Sequence, residues 1–252
     1  MASRPERPPD GPDPPLETVV DLLQRRFGVA APRKLSSLRL PTCARPLSTG
    51  FADLDEALGG EGIPRGSIVE LVGVPTSGLA TLALLLTARS QQPGEVAVIV
   101  DLEETFDPDY AARCGVSVQD LLLVHAPARG HVLDTVHELI SSGATSLVVM
   151  HSIETLLKQG ERPARVAAGV RRVKSAIQGS ECCLLSLVPW EANLTCTVPA
   201  YANVRLLVER EAWLEHGHDV QGYQARVTVL KNQFAPAGRS VSLPITINGD
   251  PP

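Results

Sequence analysis

The sequence predicts an α/β fold: a mostly parallel sheet flanked by helices, with antiparallel strands added at one edge. Between residues 68 and 188, short and almost uniformly apolar runs alternate with amphipathic stretches of helical length. Strands apolar on both faces are those of a parallel sheet covered by helices on each side. After Pro199 the rhythm changes, and three strand-like runs follow with no helix between them. The chain has 252 residues, 44% of them hydrophobic, which is enough for one large domain with its own core. Only 4% are aromatic, so Leu, Val, Ile and Ala must fill that core.

The elements follow in order. Residues 1–15 hold six prolines and alternating charges, and read as a disordered tail. Residues 16–46 read as an N-terminal helix and linker. Val19, Leu22, Leu23 and Phe27 share one helical face, Gly28 is a natural stop, and Pro32 to Arg45 reads as an extended connector. The core domain is assigned to residues 47–252. Its predicted strands are 68–72, 96–100, 121–124, 147–150 and 184–188, then 204–208, 225–230 and 241–247. Its predicted helices are 80–89, 108–113, 131–140 and 164–177, with Gly115 ending the second of these.

Composition narrows the functional classes. A net charge of −5 argues against a dedicated, non-specific nucleic-acid binder. No apolar run reaches eighteen residues, and the N-terminus lacks the apolar region of a secretory signal. Five cysteines (Cys43, Cys114, Cys182, Cys183 and Cys196) fit no zinc spacing, and Cys182 and Cys183 read as buried thiols. A reducing cytoplasm is expected, and no metal site.

One segment carries chemistry. Gly73-Val74-Pro75-Thr76-Ser77-Gly78-Leu79-Ala80-Thr81 lies between a predicted strand and a predicted helix, the context a phosphate-binding loop requires. Such loops work because backbone N–H groups and a helix N-terminus point at the phosphates. In that pattern a lysine belongs at Leu79 and a magnesium-holding hydroxyl at Ala80. Neither is present, and Thr81 offers a hydroxyl one position late. Backbone amides alone leave at most a weak ATP or ADP site, built from Gly73, Thr76, Ser77, Gly78 and Thr81; the other reading is a strand–turn–helix that binds no ligand.

Here the chain resembles the bacterial RecA family over about residues 17–248. Leu47-Ser48-Thr49-Gly50-Phe51-Ala52-Asp53-Leu54-Asp55 with Leu58-Gly59-Gly60 and Gly62-Ile63-Pro64-Arg65-Gly66, Asp101-Leu102-Glu103 with Asp107-Pro108-Asp109-Tyr110-Ala111, and Val229-Leu230-Lys231-Asn232 with Ala235-Pro236 carry the resemblance. It implies a RecA-like P-loop core. It also implies that Glu103 is a vestigial catalytic glutamate, that Asp107 and Tyr110 lie where an adenine is held, and that Val19, Leu22, Leu23 and Phe27 belong to a helix that docks on a neighbouring subunit. The metal-binding aspartate of the family would end the strand at Met150, where His151 stands. Val188-Pro189-Trp190 replaces a polar sensor, and the DNA loop that follows is shortened to Glu191 to Pro199. His151 is expected to be a satisfied strand-end histidine, and Trp190 a core residue.

Arg162, Arg165, Arg171, Arg172 and Lys174 gather on one predicted helix, with Arg162, Arg165 and Arg172 near one face. They are the DNA-binding candidates, weighed against an ordinary solvated helix surface. The chain is similar to the ImuA group of RecA relatives. That similarity implies a non-hydrolysing accessory protein of DNA repair and damage-induced mutagenesis, with RecA or a translesion polymerase as partner. The alternative is a recombinase whose ATPase is completed in trans by Lys231 or Arg239 of a neighbour.

Overall fold

The structure is a computed structural model that describes residue 25 and residues 45–92, 94–125, 131–151, 153–190, 201–216 and 219–246. The tail, the docking-helix residues Val19, Leu22, Leu23 and Phe27, and the shortened loop 191–199 lie outside the described residues. The core falls in the compact unit Cys43–Pro252.

In chain order the elements are α1 (Ala52–Leu58), β1 (Ser67–Gly73), α2 (Leu79–Gln91), β2 (Val96–Asp101), α3 (Pro108–Arg113), β3 (Leu122–His125), α4 (Val132–Ser141), β4 (Thr145–His151), α5 (Ile153–Lys158), α6 (Pro163–Ile177), β5 (Cys183–Pro189), β6 (Val204–His216), β7 (Asp219–Asn232) and β8 (Ser240–Thr246). They form one eight-stranded sheet in the order β3-β2-β4-β5-β1-β6-β7-β8. The first six strands of that order run parallel, and β7 and β8 are antiparallel additions. The predicted fold class is therefore the observed one, with one refinement: β6 itself pairs parallel with β1 through Val69↔Val204 to Val72↔Leu207.

Burial explains the layers. Every residue of β1 is buried, which suits its place between β5 and β6 under helices. One core lies between the sheet and α1, α2 and α3, and joins Leu54, Leu82, Leu86, Leu71, Leu185 and Leu206. The other lies between the opposite face and α4, α5 and α6, and joins Val136, Ile140, Val170, Ile177, Val148 and Leu184. α2 buries residues around most of its circumference, from Thr81 through Thr87. α6 buries Val166, Gly169, Val170, Val173 and Ile177, an i, i+3, i+4, i+7 stripe. Gly169 admits Leu133 of α4, whose side chain a Cβ would meet at 2.7 Å. Asp107 caps α3 by accepting from the Tyr110 N–H at 3.0 Å, with Pro108 at the first helical position. Gly115 follows that helix at φ +86. Cys182 and Cys183 are buried free thiols, as read from the sequence.

The resemblance motifs are structural joints. Asp55 accepts from the N–H and hydroxyl of Thr49, at 2.8 and 2.6 Å, and fixes the start of α1. Arg65 pairs with Glu95 at 2.7 Å and donates to the Arg45 and Glu181 carbonyls. Asn232 donates to the Leu58 carbonyl at 3.0 Å.

Within β1, Glu70 is 2% exposed and pairs with Arg205 of β6 at 2.7 Å. Burial pushes the Glu70 carboxyl above its ordinary range, although Arg205 pulls it down. Breaking such a pair leaves an uncompensated charge, at a cost of about 3–5 kcal/mol. Arg205→Ala is expected to lose stability on that scale in urea unfolding at pH 8, and to recover part of it at pH 5. A carboxyl with a raised folded pKa takes up its proton in the folded state as pH falls, and this relieves the buried charge. The pair Glu70→Leu with Arg205→Met should regain most of the loss.

Candidate functional site

The C-terminal ends of β1, β2, β4 and β5 gather at one edge of the sheet, where ligands of open parallel sheets bind. Residues 73–81 leave β1 there and turn into α2. The turn needs positive φ at Thr76 (+66°) and at Gly78 (+99°), the residue that caps the helix. The strand–loop–helix predicted for this segment is therefore present.

The loop is held by its own chain. Arg210 of β6 donates to the Thr76 carbonyl at 3.2 Å. Its guanidinium stacks on Trp213, 4.3 Å from the ring centroid, and Trp213 meets Tyr223 of β7 edge-on at 6.2 Å. The Tyr223 hydroxyl lies directly against Gly78, where any Cβ would collide with it. Gly73 is equally confined, by the Ser77 hydroxyl and the Val208 carbonyl. The hydroxyls of Ser77 and Tyr223 are buried with no hydrogen-bond partner among the described residues. Burial pushes the Tyr223 phenol up to about 12, so it stays neutral.

The other predicted residues divide between buried and exposed positions. Thr81 is buried, and its hydroxyl meets the Tyr110 hydroxyl at 2.7 Å, so these two close on each other. Tyr110 also packs under the Arg113 guanidinium, 5.5 Å from the ring centroid. Glu103 accepts from the Thr155 hydroxyl of α5 at 3.2 Å. Leu79 and Ala80 carry neither a charge nor a metal-binding oxygen. His151 ends β4 as expected, but it is not satisfied: its Nδ1 is buried without a partner among the described residues. Asp101, one strand away, accepts from the N–H groups of Glu103 and Phe106 at 3.2 and 2.8 Å. Burial works to raise its carboxyl, but these N–H bonds and the nearby His151 hold it below the ordinary range. Trp190 corrects an expectation. It is 37% exposed and lines a cleft with Val74, Thr76 and Arg210, because β5 ends at the sheet edge one residue before it.

The basic residues divide. Arg162 is the residue before α6 rather than part of it. Arg165 and Arg172 both reach Asp134 of α4. Lys174 lies over the Tyr201 ring at 5.4 Å. Arg162 and Arg171 are exposed. Lys231 donates to the Ala202 carbonyl at 2.6 Å and Arg239 to the Glu56 carbonyl at 3.2 Å, so both serve their own chain. Among the described residues no group of three or more His, Cys, Asp or Glu is placed to hold a metal, and no helix is long and apolar enough to cross a membrane.

Sequence reading missed Arg210, Trp213 and Tyr223. The signal for Tyr223 was alternation: it stands two residues before Ala225, which Val227 and Val229 follow at the same spacing, all buried on one face. Tyr223→Phe is expected to leave stability unchanged or raise it by up to ~1 kcal/mol, since it removes a buried unpaired hydroxyl. Tyr223→Ala should cost about 3–5 kcal/mol and speed amide exchange across residues 74–80. Equal losses in both variants, read by urea unfolding and hydrogen exchange, would contradict this account of the clamp.

Comparison with known proteins agrees with this architecture. The RecA N-terminal domain family matches residues 15–176. Protein RecA of Herpetosiphon aurantiacus is 32% identical, covering 98% of this chain and 74% of its own length. Protein RecA of Chlorobium limicola is 32% identical over 91% of this chain and 73% of its own, and that of Paracoccus denitrificans 31% over 91% and 71%. With these matches and the P-loop sheet that carries them, the chain belongs to the RecA family.

Proposed function

We propose that this chain is a non-hydrolysing member of the RecA family, an accessory protein of DNA repair and damage-induced mutagenesis of the ImuA type. One observation carries the reading. The phosphate loop has Leu79 and Ala80 where a cation and a metal-holding hydroxyl act, and the chain's own Arg210 and Tyr223 brace it. Phosphoryl transfer depends almost entirely on electrostatic stabilisation of the transferring group. Here no lysine follows Gly78, His151 ends β4, and Glu103 is bonded to Thr155. Mg-ATP does not fit this residue set. A nucleotide held weakly by the backbone amides, with Asp107 and Tyr110 beside it, remains within the proposal.

Such a protein keeps RecA-like docking surfaces without a nucleotide switch. It caps, destabilises or decorates a RecA filament, or bridges RecA to a translesion polymerase. The in-chain partners of Lys231 and Arg239 weigh against a site completed in trans by those residues. Direct binding of single-stranded DNA is a secondary activity in this reading, resting on the exposed Arg162 and Arg171.

Three outcomes are expected. Purified protein shows no magnesium-dependent ATP turnover above background, whereas robust turnover would overturn the proposal. Pull-down from DNA-damaged cells recovers RecA or a translesion polymerase, and deletion of the gene lowers damage-induced mutation. Unchanged mutation frequency with no recovered RecA or polymerase would count decisively against the accessory role. Arg162→Glu with Arg171→Glu abolishes whatever single-stranded DNA binding is measured at low salt.

A further inference from the structure

β6 outruns the strand beside it. β1 pairs with Val204 to Leu207 of β6 and then leaves the sheet at Gly73, whereas β6 continues to His216 against β7. Among the described residues, no strand covers the other side of residues 209–215. A strand with one open side presents backbone N–H and C=O groups that have no ladder partner. A cleft of about 450 Å³ opens beside the start of this stretch, lined by Val74, Thr76, Trp190, Leu207, Glu209 and Arg210. We propose that the open side of β6 accepts, as an added strand, an extended segment of a partner protein in which apolar and cationic residues alternate.

In strand addition the backbone supplies affinity and alternate side chains supply specificity. Arg210 and Trp213 stand opposite Ala225 and Tyr223, both core residues, so they share the inner face of the hairpin. Glu209 stands opposite Arg226 on the other face. Trp213 is 48% exposed, and Trp190 and Val74 expose apolar surface at the cleft. Both tryptophans of the chain therefore lie beside this strand, and exposed tryptophans are favoured anchors of protein interfaces. Apolar residues of an added strand meet Trp213 on one face, and its cations meet Glu209 on the other.

Charge selects the sign of the occupant. Residues 209–215 carry Glu209, Glu211 and Glu215 against one basic side chain, Arg210. Arg226 neutralises Glu211. Glu209 and Glu215 are exposed and have no ion pair among the described residues, so the balance along the edge is acidic. A second copy of this strand is a poor occupant, because like charges opposed across a ladder are destabilising. The bulge at Glu211 twists the hairpin and discourages indiscriminate pairing further. Nucleic acid suits an acidic strand still less. The adenine position at Asp107 and Tyr110 lies elsewhere: these residues follow β2, and β4, β5 and β1 stand between β2 and β6. The inference rests on the accessory reading only in expecting a protein partner, and peptide binding can fail while the mutation-frequency outcome stands.

The test is a titration of the full chain with an acetylated, amidated heptapeptide of alternating lysine and valine, followed by tryptophan fluorescence and amide hydrogen exchange. A block peptide of the same composition, four lysines and then three valines, is the comparator. Saturable binding of the alternating peptide is expected, tighter than the block peptide by about tenfold or more. It should slow exchange of those amides in 209–215 that do not bond β7. Glu209→Lys with Glu215→Lys changes two exposed side chains; it should leave urea unfolding unchanged and weaken binding by about tenfold or more. Equal affinity for the two peptides, or unchanged binding in the double variant, would overturn the proposal. So would protection of every amide across 209–215 in the free chain, which would mean that the chain itself or a second copy already fills the edge. Displacement of the peptide by oligo(dT) would assign the edge to nucleic acid and overturn it as well.

Discussion

The contact between the β6–β7 hairpin and the loop at residues 73–81 is the constraint on which the rest of the site depends. A left-handed conformation at a non-glycine such as Thr76 costs about 1–2 kcal/mol. In a working phosphate loop, bound phosphate helps to offset that strain. Here the Arg210 hydrogen bond to the Thr76 carbonyl is solvent-exposed and adds little, while the buried Tyr223 ring, worth ~1.5–3 kcal/mol, is large enough to do so. The loop therefore keeps its shape without a ligand. Gly73 and Gly78 are required by this packing whether or not a lysine follows them, because their Cβ positions are occupied by the chain's own atoms.

The same geometry sets the sign of the field at the strand ends. Asp101, Glu103 and Asp107 stand within seven residues of one another along the turn from β2 to α3, and Leu79 supplies nothing to balance them. Arg210 is engaged with Thr76 and Trp213. An incoming polyphosphate would face these carboxylates without a metal to bridge them. With Leu79, Ala80 and His151 at these positions, the strand ends offer no lysine and no metal-binding hydroxyl beside the carboxylates of the β2–α3 turn.

Much of this was legible in the chain. The parallel strands declared themselves because β1, β2, β4 and β5, buried on both faces, admit few polar residues. α1 and α5 were not read as helices. Both are short, and α1 (ADLDEAL) spans only two turns with three acidic residues among its seven, so its position is fixed by Asp55 and by packing rather than by periodicity. The strand 204–208 continues to His216 because β7 pairs with it; residues 209–216 alternate poorly, and two register shifts there break the pattern. The loop itself was evident from its glycines and its setting. What no local pattern discloses is the mutual pairing of Thr81 with Tyr110, 29 residues apart, or the reach of Arg210 to Thr76 across 134. These depend on sheet order.

Sheet order and helix packing also decide how much weight the basic helix bears. Five cations near α6 suggested a nucleic-acid face, but α4 lies alongside and its Asp134 engages Arg165 and Arg172, while Lys174 sits over Tyr201. Arg162, Arg165, Arg171 and Arg172 are all exposed, but Arg165 and Arg172 share Asp134, which leaves Arg162 and Arg171 without an ion pair among the described residues. With a slope of about −0.7 per phosphate on a single strand, two contacts change affinity only roughly sevenfold between 50 and 200 mM salt. A footprint that small, on a chain of net charge −5, gives little electrostatic capture of a strand by itself. Weak electrostatic capture by this face is the physical reason to favour the proposed accessory role over an independent DNA-binding one.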